Sequence, residues 1–321
     1  MRLPPAMLCG RNILRTGAPN ENEGARMSAI PTPAQVQSGK IASRVLREIV
    51  DLVKPRAGIL NLCRLAEKKA IEYGGRPAFP CNICVGNIAA HYTSPHDDPS
   101  TIPDFGLVKV DIGVQVDGYI VDTARTVDID GTLEGFVSAT DDALQEAISM
   151  IKPGVRLSEL GERIQNIIHS YGLRPVKELT GHSIARYALH AGKSVPNYKT
   201  HERAQAEAGE CYAIEPFATS GFGVSETKNM YIFANVELDR TLEGMAEKLR
   251  LHLRQKYGSL PFASRWVRAA AKGVNIPDLL RELLKYKAIK GFPVLAEKKG
   301  RPVAQSEHTV FVSEEGAVVL T

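Results

Sequence analysis

Two aspartates, Asp111 and Asp122, stand in a stretch, VKVDIGVQVDGYIVDTART, whose pattern turns their spacing into a distance. Val108, Val110, Ile112, Val114 and Val116 alternate with other residues, the period of a half-buried strand, and Asp117-Gly118 is a two-residue hairpin turn. That turn pairs Val116 with Tyr119, so Asp111 faces Ala124 and Asp122 faces Gly113. Both aspartates then share the face opposite the valines, as diagonal cross-strand neighbours with α-carbons about 7–8 Å apart. Two carboxylates so placed can share a cation, although taken alone they fit a solvated polar face equally well.

Further along the chain are residues that could give that face a purpose. His182 and His190 lie in LTGHSIARYALHAGKSV, bracketed by Gly181 and Gly192; Glu215 ends the strand-like GECYAIEP; Glu307 sits in PVAQSEHTVFV. Asp111, Asp122, His182, Glu215 and Glu307 make four carboxylates and one imidazole, each among strand residues or glycine turns. Hard oxygen donors with one nitrogen suit Mn, Fe, Co or Zn. Two such ions would need shared acids to offset their mutual repulsion.

The surrounding pattern supplies elements to hold these residues. Thr32 as N-cap and Pro33 at the first position predict a helix running through IASRVLREIVDLV to the stop at Lys54-Pro55. A second helix is expected over 59–73, ending at Gly74-Gly75, then strand and loop over 77–91. After the hairpin, helices are expected from about Ser138 to Ile151 and from Ser158 to Tyr171. These repeat the opening pair: Lys54-Pro55 recurs as Lys152-Pro153, Tyr73-Gly74 as Tyr171-Gly172 and Arg76-Pro77 as Arg174-Pro175, all at one offset. His91 falls one residue short of His190 at that offset. A pseudo-twofold α/β fold follows, with a histidine from each half at one site. Residues 238–290 read as a helical block interrupting the β pattern, and strands resume at Pro302.

At 321 residues with 44% hydrophobic content, the chain can bury one large core. No apolar run approaches the roughly 20 residues of a membrane span, and the first residues lack the apolar core of a secretory signal. No membrane partner and a cytoplasmic location are expected. The five cysteines are odd in number and scattered, against a disulfide framework, and Cys81 and Cys84 have no second pair at zinc-ribbon spacing. Residues 1–31 show no sustained periodicity and are expected to be a disordered or non-native extension, with Met27 an alternative start. Residues 241–300 carry thirteen Lys and Arg against five Asp and Glu, a surplus that exceeds the whole-chain charge of +4 and could face nucleic acid.

AAHY at 89–92, DIGVQVDGYIVD at 111–122, TGHSIARYALHAG at 180–192, AIEP at 213–216 and AQSEHT at 304–309 together resemble a type II methionine aminopeptidase of the archaeal kind, over the whole chain from about residue 32. The resemblance implies a pita-bread α/β fold over 32–321, with a helical insertion at about 238–300. It also implies two divalent ions (Co, Mn, Fe or Zn) that activate a water to remove the initiator methionine from nascent proteins when the second residue is small. On that pattern Asp111 would hold one ion, Asp122 and Glu307 would bridge, and His182 and Glu215 would complete the other ion's shell. Glu215 would also shuttle the proton. His190 would bond the substrate carbonyl, His91 would contact the scissile amide, and Phe79, Leu189, Phe217 and Phe292 would line the methionine pocket. The expected partners are nascent-chain N-termini and, through the basic insertion, the ribosome; a monomer is expected. Two departures stand out, Ser306 where the family has Phe and Ala185 where it has Gly, and both put pocket shape in question. The competing readings are a prolidase or aminopeptidase P, which carry an N-terminal domain this chain has no room for, and a non-enzymatic relative, which would have lost metal ligands.

Overall fold

The structure is a computed structural model, and it describes residues 30–267 and 275–321; the expectations for the N-terminal extension and for Met27 fall almost wholly outside them. The first half begins with α1 (Pro33–Val50) and α2 (Ile59–Glu72), followed by β1 (Arg76–Pro77), β2 (Asn82–Val85), β3 (Ile88–Ala90) and the hairpin β4 (Leu107–Val116) and β5 (Tyr119–Asp128). Thr32 caps α1 reciprocally: its hydroxyl accepts from Gln35 N at 3.3 Å, and Gln35 Oε1 accepts from Thr32 N at 2.7 Å. The helix stops at Val50 rather than running on to Val53, because the chain turns there to bury Val53 ahead of Pro55.

The hairpin has the expected register, Asp111 opposite Ala124 and Asp122 opposite Gly113. Val108, Val110, Ile112 and Val114 pack with Ile41, Val45 and Ile49 of α1 and with Leu62 and Ala66 of α2. At about 25 cal/mol per Å² of apolar area, that face commits the hairpin to one orientation. The acids are thereby turned to the other side.

The second half repeats this plan with α3 (Glu134–Met150), α4 (Leu157–Ser170), β6 (Arg174–Pro175), β7 (Thr180–Ile184), β8 (Ser194–Pro196), β9 (Cys211–Ile214) and β10 (Phe217–Thr219). The correspondence extends to register. Arg76 pairs with Gln115 as Arg174 pairs with Thr219, and Asn82 pairs with Asp111 where Thr180 reaches the level of Glu215. Asp111 and Glu215 are therefore equivalent positions in the two halves. The segment after β2 closes with Ile83 N donating to Tyr92 O, whereas Gly181 pairs with Val195, so the second half carries a longer insertion than one residue. α3 starts four residues ahead of Ser138, since Asp128 Oδ2 accepts from Leu133 N and starts the helix there.

A long strand β11 (Val224–Asn235) then leads to α5 (Gly244–Tyr257), β12 (Phe262–Ala263), α6 (Ser264–Val267), α7 (Ile276–Lys285) and β13 (Ile289–Glu297). Thus 289–297, expected within the helical insertion, is a strand paired to β11 and β3. Its pairing partner β11 is what a hydrophobic-periodicity reading of the block alone does not reveal. The helices close over their own core of Leu249, Leu253, Phe262, Leu279 and Leu283. β14 (Val303–Gln305), β15 (His308–Ser313) and β16 (Gly316–Val319) finish the chain. The strand pattern expected to resume at Pro302 is broken at Ser306-Glu307, beside the break that Pro216, with no N–H to give, makes between β9 and β10.

The halves meet at a seam made of backbone. Ala124 N donates to Glu307 O and Glu307 N to Ala124 O, at 3.4 and 3.0 Å. On one side the Thr309 hydroxyl accepts from Asp122 N and donates to Asp122 O, at 2.7 and 2.8 Å. On the other, the Thr126 hydroxyl does the same for Gln305, at 2.8 and 2.6 Å.

The helical insertion is tied to the first half by a buried network. Glu67 of α2 receives Arg265 and, at 2.8 Å, Trp266 Nε1, and also Cys81 N at 3.2 Å, while Arg265 donates to Thr93 Oγ1 and Ser94 O. Removing one member leaves a desolvated charge. Glu67→Ala should cost about 3–5 kcal/mol of stability, read by urea unfolding, whereas the exposed Lys68→Ala should stay within about 0.5 kcal/mol.

Candidate metal centre and substrate cavity

A cavity of about 310 Å³ opens at the seam, and every residue anticipated for the site lines it: His91, Asp111, Asp122, His182, His190, Glu215 and Glu307, with Phe79, Leu189, Phe217 and Phe292. β4 and β5 supply Asp111 and Asp122, β7 supplies His182, and Glu215 and Glu307 occupy the two strand breaks. A break frees an acid from the ladder geometry and lets it lean to the axis. His182 Nε2 lies 3.6 Å from both Asp122 Oδ2 and Glu215 Oε1. Donor atoms of Asp122, His182 and Glu307 all fall within 4.8 Å of one another.

The electrostatics of this group call for cations. Burial, and then the neighbouring acids, push Asp111, Glu215 and Glu307 far above the ordinary carboxylate range, and burial raises Asp122 to about 7. Among the described residues no lysine or arginine pairs with any of them. Lys193 at the rim is held by Glu207 and Glu210, and the buried Lys109 donates instead to the carbonyl of Val303 at 2.7 Å. Asp111 Oδ1, Asp122 Oδ1 and Glu307 Oε1 are buried with no hydrogen-bond partner, as is His182 Nδ1. Orphaned buried acceptors are costly, and converging anions more so. A divalent ion satisfies both, and burial lowers His182 to about 4, which keeps its ring neutral as a ligand must be. The residues present fit a metal.

The histidines are also defined. His91 Nδ1 lies 3.2 Å from the carbonyl oxygen of Pro293, which can only accept, so Nδ1 carries the hydrogen and Nε2 keeps a lone pair. Its ring sits edge-on to Phe292, and its backbone takes a left-handed φ of 65°, a conformation unusual for a non-glycine residue. Burial lowers His91 and, with the nearby His182, Lys290 and His91, takes His190 down to about 3. The rings of His182 and His190 are 4.3 Å apart.

Opposite the acids the wall is apolar. Gly113 has no room for a β-carbon because the Phe79 ring occupies that space, which is how a strand residue facing the cavity lets an aromatic from before β2 enter it. Residues not anticipated complete the site. Gln305 Nε2 donates to Glu307 Oε2 at 3.2 Å, Thr309 holds the Asp122 backbone, and Asn82 pairs across from Asp111. Gln305 was legible as the neighbour two residues from Glu307 on one strand face; the other two depend on long-range pairing. Ser306 and Ala185, the two departures, do not line the cavity. Alternation along the strand turns Ser306 to the opposite side, where it bonds Thr140 and Asp141, and Ala185 lies in a bridge to Ala188.

The sequence profile of metallopeptidase family M24 matches residues 36–313. The methionine aminopeptidase of Methanothermobacter thermautotrophicus is 43% identical over 291 residues, spanning 89% of this chain and 97% of that protein. That of Methanocaldococcus jannaschii is 39% identical, spanning 89% and 97%. Among solved structures, a methionine aminopeptidase from Thermotoga maritima superposes with a TM-score of 0.66 at 21% identity, covering 91% and 98% of the two chains. A thermophilic Arx1 superposes at 0.76 with 15% identity, covering 89% of each. The prolidase of Pyrococcus furiosus gives 0.56 at 16%, and only 62% of that chain is covered. At these identities the structures share the fold.

Proton linkage follows from the raised acids. In metal-stripped protein, each acid binds its proton more tightly folded than unfolded, so the contribution of these four acids to stability is fully present below about pH 4 and is lost as pH rises, through about 7 for Asp122. The melting temperature of chelator-treated protein, measured against the metal-loaded form, should drop over that range. Calorimetry in buffers of different ionisation enthalpy should show protons released when Co or Mn binds at pH 6; binding without proton release would contradict the raised acids.

Proposed function

The chain belongs to metallopeptidase family M24, as a methionine aminopeptidase, and we propose how its residues perform the metal-dependent removal of an initiator methionine. The observation that carries the assignment of roles is the group of buried, uncompensated acids with one neutral imidazole at the floor of a single apolar-walled cavity.

Two divalent ions, Co, Mn, Fe or Zn, would be held by Asp111, Asp122, His182, Glu215 and Glu307, with Asp122 and Glu307 shared. Bound there they supply Lewis acidity and a water whose pKa is brought toward neutrality. Everything else falls to the chain. Phe79, Leu189, Phe217 and Phe292 receive the methionine side chain, for which a polarisable thioether against aromatic rings is a favourable fit. His91, with hydrogen on Nδ1, offers Nε2 as acceptor to the scissile amide N–H. Neutral His190 donates a hydrogen to the substrate carbonyl as negative charge develops on it, a donor of the kind that stabilises the transition state most. Glu215, the acid beside His182, moves the proton to the leaving amine. A cavity this small around the scissile bond favours a small second residue.

Nascent-chain N-termini are the substrates on this reading, and the cytoplasm is where they are met. No helix among the described residues is long and apolar enough to cross a membrane. A ribosome contact would fall to Lys248, Lys256, Lys285 and Lys287, which are exposed, because Arg250 and Arg265 are spent on Glu247 and Glu67. The prolidase and non-enzymatic readings have no observation in their favour: the chain is at least 36% identical to several methionine aminopeptidases and keeps all five proposed ligands.

Metal-loaded protein should release methionine from Met-Ala and Met-Gly peptides, with a steep loss for bulky second residues. His190→Ala should lower kcat about 10²- to 10³-fold with metal content unchanged. Cleavage of X-Pro peptides in place of these would sink the assignment. Metal analysis of single variants tests the ligand roles: Asp122→Ala should lose both ions, Asp111→Ala one, and equal stoichiometry in the two would count against the shared role of Asp122.

A further inference from the structure

Asn82 lines the reaction cavity, is almost wholly buried, and has no part in the roles assigned above. Its place is set by a bulge in the chain beside the hairpin. The chain advances five residues from Pro77 to Asn82 while β4 moves three, from Val114 to Asp111. The excess length swings Phe79 over Gly113, where its ring takes the space a β-carbon would need, and returns the chain to the sheet with Asn82 directly opposite Asp111. Cross-strand partners share a face, so the Asn82 side chain stands on the cavity side, where the aromatic wall of Phe79 meets the acids.

The orientation of the amide is defined. Nδ2 donates to the carbonyl oxygen of Pro80 at 3.1 Å, and that oxygen can only accept, so the nitrogen faces Pro80 and Oδ1 is left at the other end. Oδ1 is buried with no hydrogen-bond partner, and so is Asp111 Oδ1 across the ladder. The carboxylate opposite is the natural taker of an amide N–H. Here the donor is committed to Pro80 instead, and two buried acceptors stand on one wall with no donor for either among the described residues. A small group bearing more than one N–H hydrogen suits such a wall.

We infer that Asn82 is a specificity-determining residue, its Oδ1 accepting a hydrogen bond from the free α-amino group of the substrate. This role presupposes the methionine aminopeptidase reading of the cavity. With the side chain among Phe79, Leu189, Phe217 and Phe292 and the carbonyl at His190, the remaining polar substituent of the α-carbon, the amine, falls to the wall where Asn82 and Asp111 leave acceptors open. An amine can donate there whether or not it is protonated, whereas an acylated nitrogen has a single hydrogen and brings extra bulk under the rings. A free N-terminus is thus read through a neutral oxygen, which adds no charge to a site already holding four acids.

The test compares L-methionine with 4-(methylthio)butanoic acid, which keeps the thioether and the carboxylate and lacks the amine, by titration calorimetry of metal-loaded protein. The wild type should bind methionine more tightly than its des-amino counterpart. In Asn82→Leu, methionine binding should weaken about tenfold or more while binding of the des-amino acid shifts less than about twofold. Metal content should match the wild type, and the melting transition reports that the variant folds. A packing role for Asn82 would weaken both compounds alike, and a role as metal ligand would lower metal content; either result, or unchanged methionine binding, overturns the inference. If Asn82→Leu does not fold, Asn82→Ala decides by the same comparison. Wild-type protein that cleaves no Met-Ala and binds no methionine would sink the functional reading and this role with it, whereas Met-Ala cleavage alongside any of the contrary results sinks this role alone.

Discussion

The structure depends on one electrostatic problem, four carboxylates held together out of water with no lysine or arginine among the described residues paired to them. Each of Asp111, Asp122, Glu215 and Glu307 is pushed toward its protonated form, first by burial. A chain selected for stability alone would separate them. They stay together because each is fixed by a different rigid element, and those elements are committed elsewhere: β4 and β5 by their apolar face against α1 and α2, β9 by Ile214 against the core of the second half. Hydrophobic burial on one side of the sheet forces unfavourable charge density on the other. That density is relieved by cations, and the function follows from it.

The pseudo-twofold arrangement explains why the acids converge at all. Equivalent strands from the two halves present Asp111 and Glu215, while the seam presents Asp122 and Glu307, whose backbones are fixed by contacts from the opposite half. The residues proposed to be shared between two ions are thus the ones whose positions both halves determine. Symmetry is broken where chemistry needs it. His182 stands at the β7 position that Cys84 holds in β2, and burial raises that thiol to about 12, so it remains a neutral core group rather than a ligand.

Much of this was legible in the sequence because the signals were local. Alternation and an Asp-Gly turn specify the hairpin register, and the register alone puts Asp111 and Asp122 on one face. The helix repeat was visible because Lys-Pro and Tyr-Gly stops recur at one offset. What was not legible depended on pairing across the chain. The strand β13 looked like part of a helical block because its partner β11 begins 65 residues earlier in the chain. The end of a strand at Glu215 is legible because Pro216 follows it, whereas the break at Ser306 that places Glu307 leaves no mark in the strand-like pattern after Pro302. Contacts such as Thr309 with Asp122, 187 residues apart, leave no trace in spacing.

The departures from the family pattern were read as threats to pocket shape, and strand geometry reverses that. A residue next to a ligand on an extended segment points away from it, so Ser306 cannot reshape the cavity into which Glu307 leans. It acts on the other side of the sheet, where α1 and α3 cross the seam. Its hydrogen bonds to Thr140 and Asp141 are polar links to α3. Glu307 keeps its position because the backbone bridge to Ala124 and the Thr123 hydroxyl, which donates to the Glu307 carbonyl at 2.9 Å, do not depend on the side chain at 306.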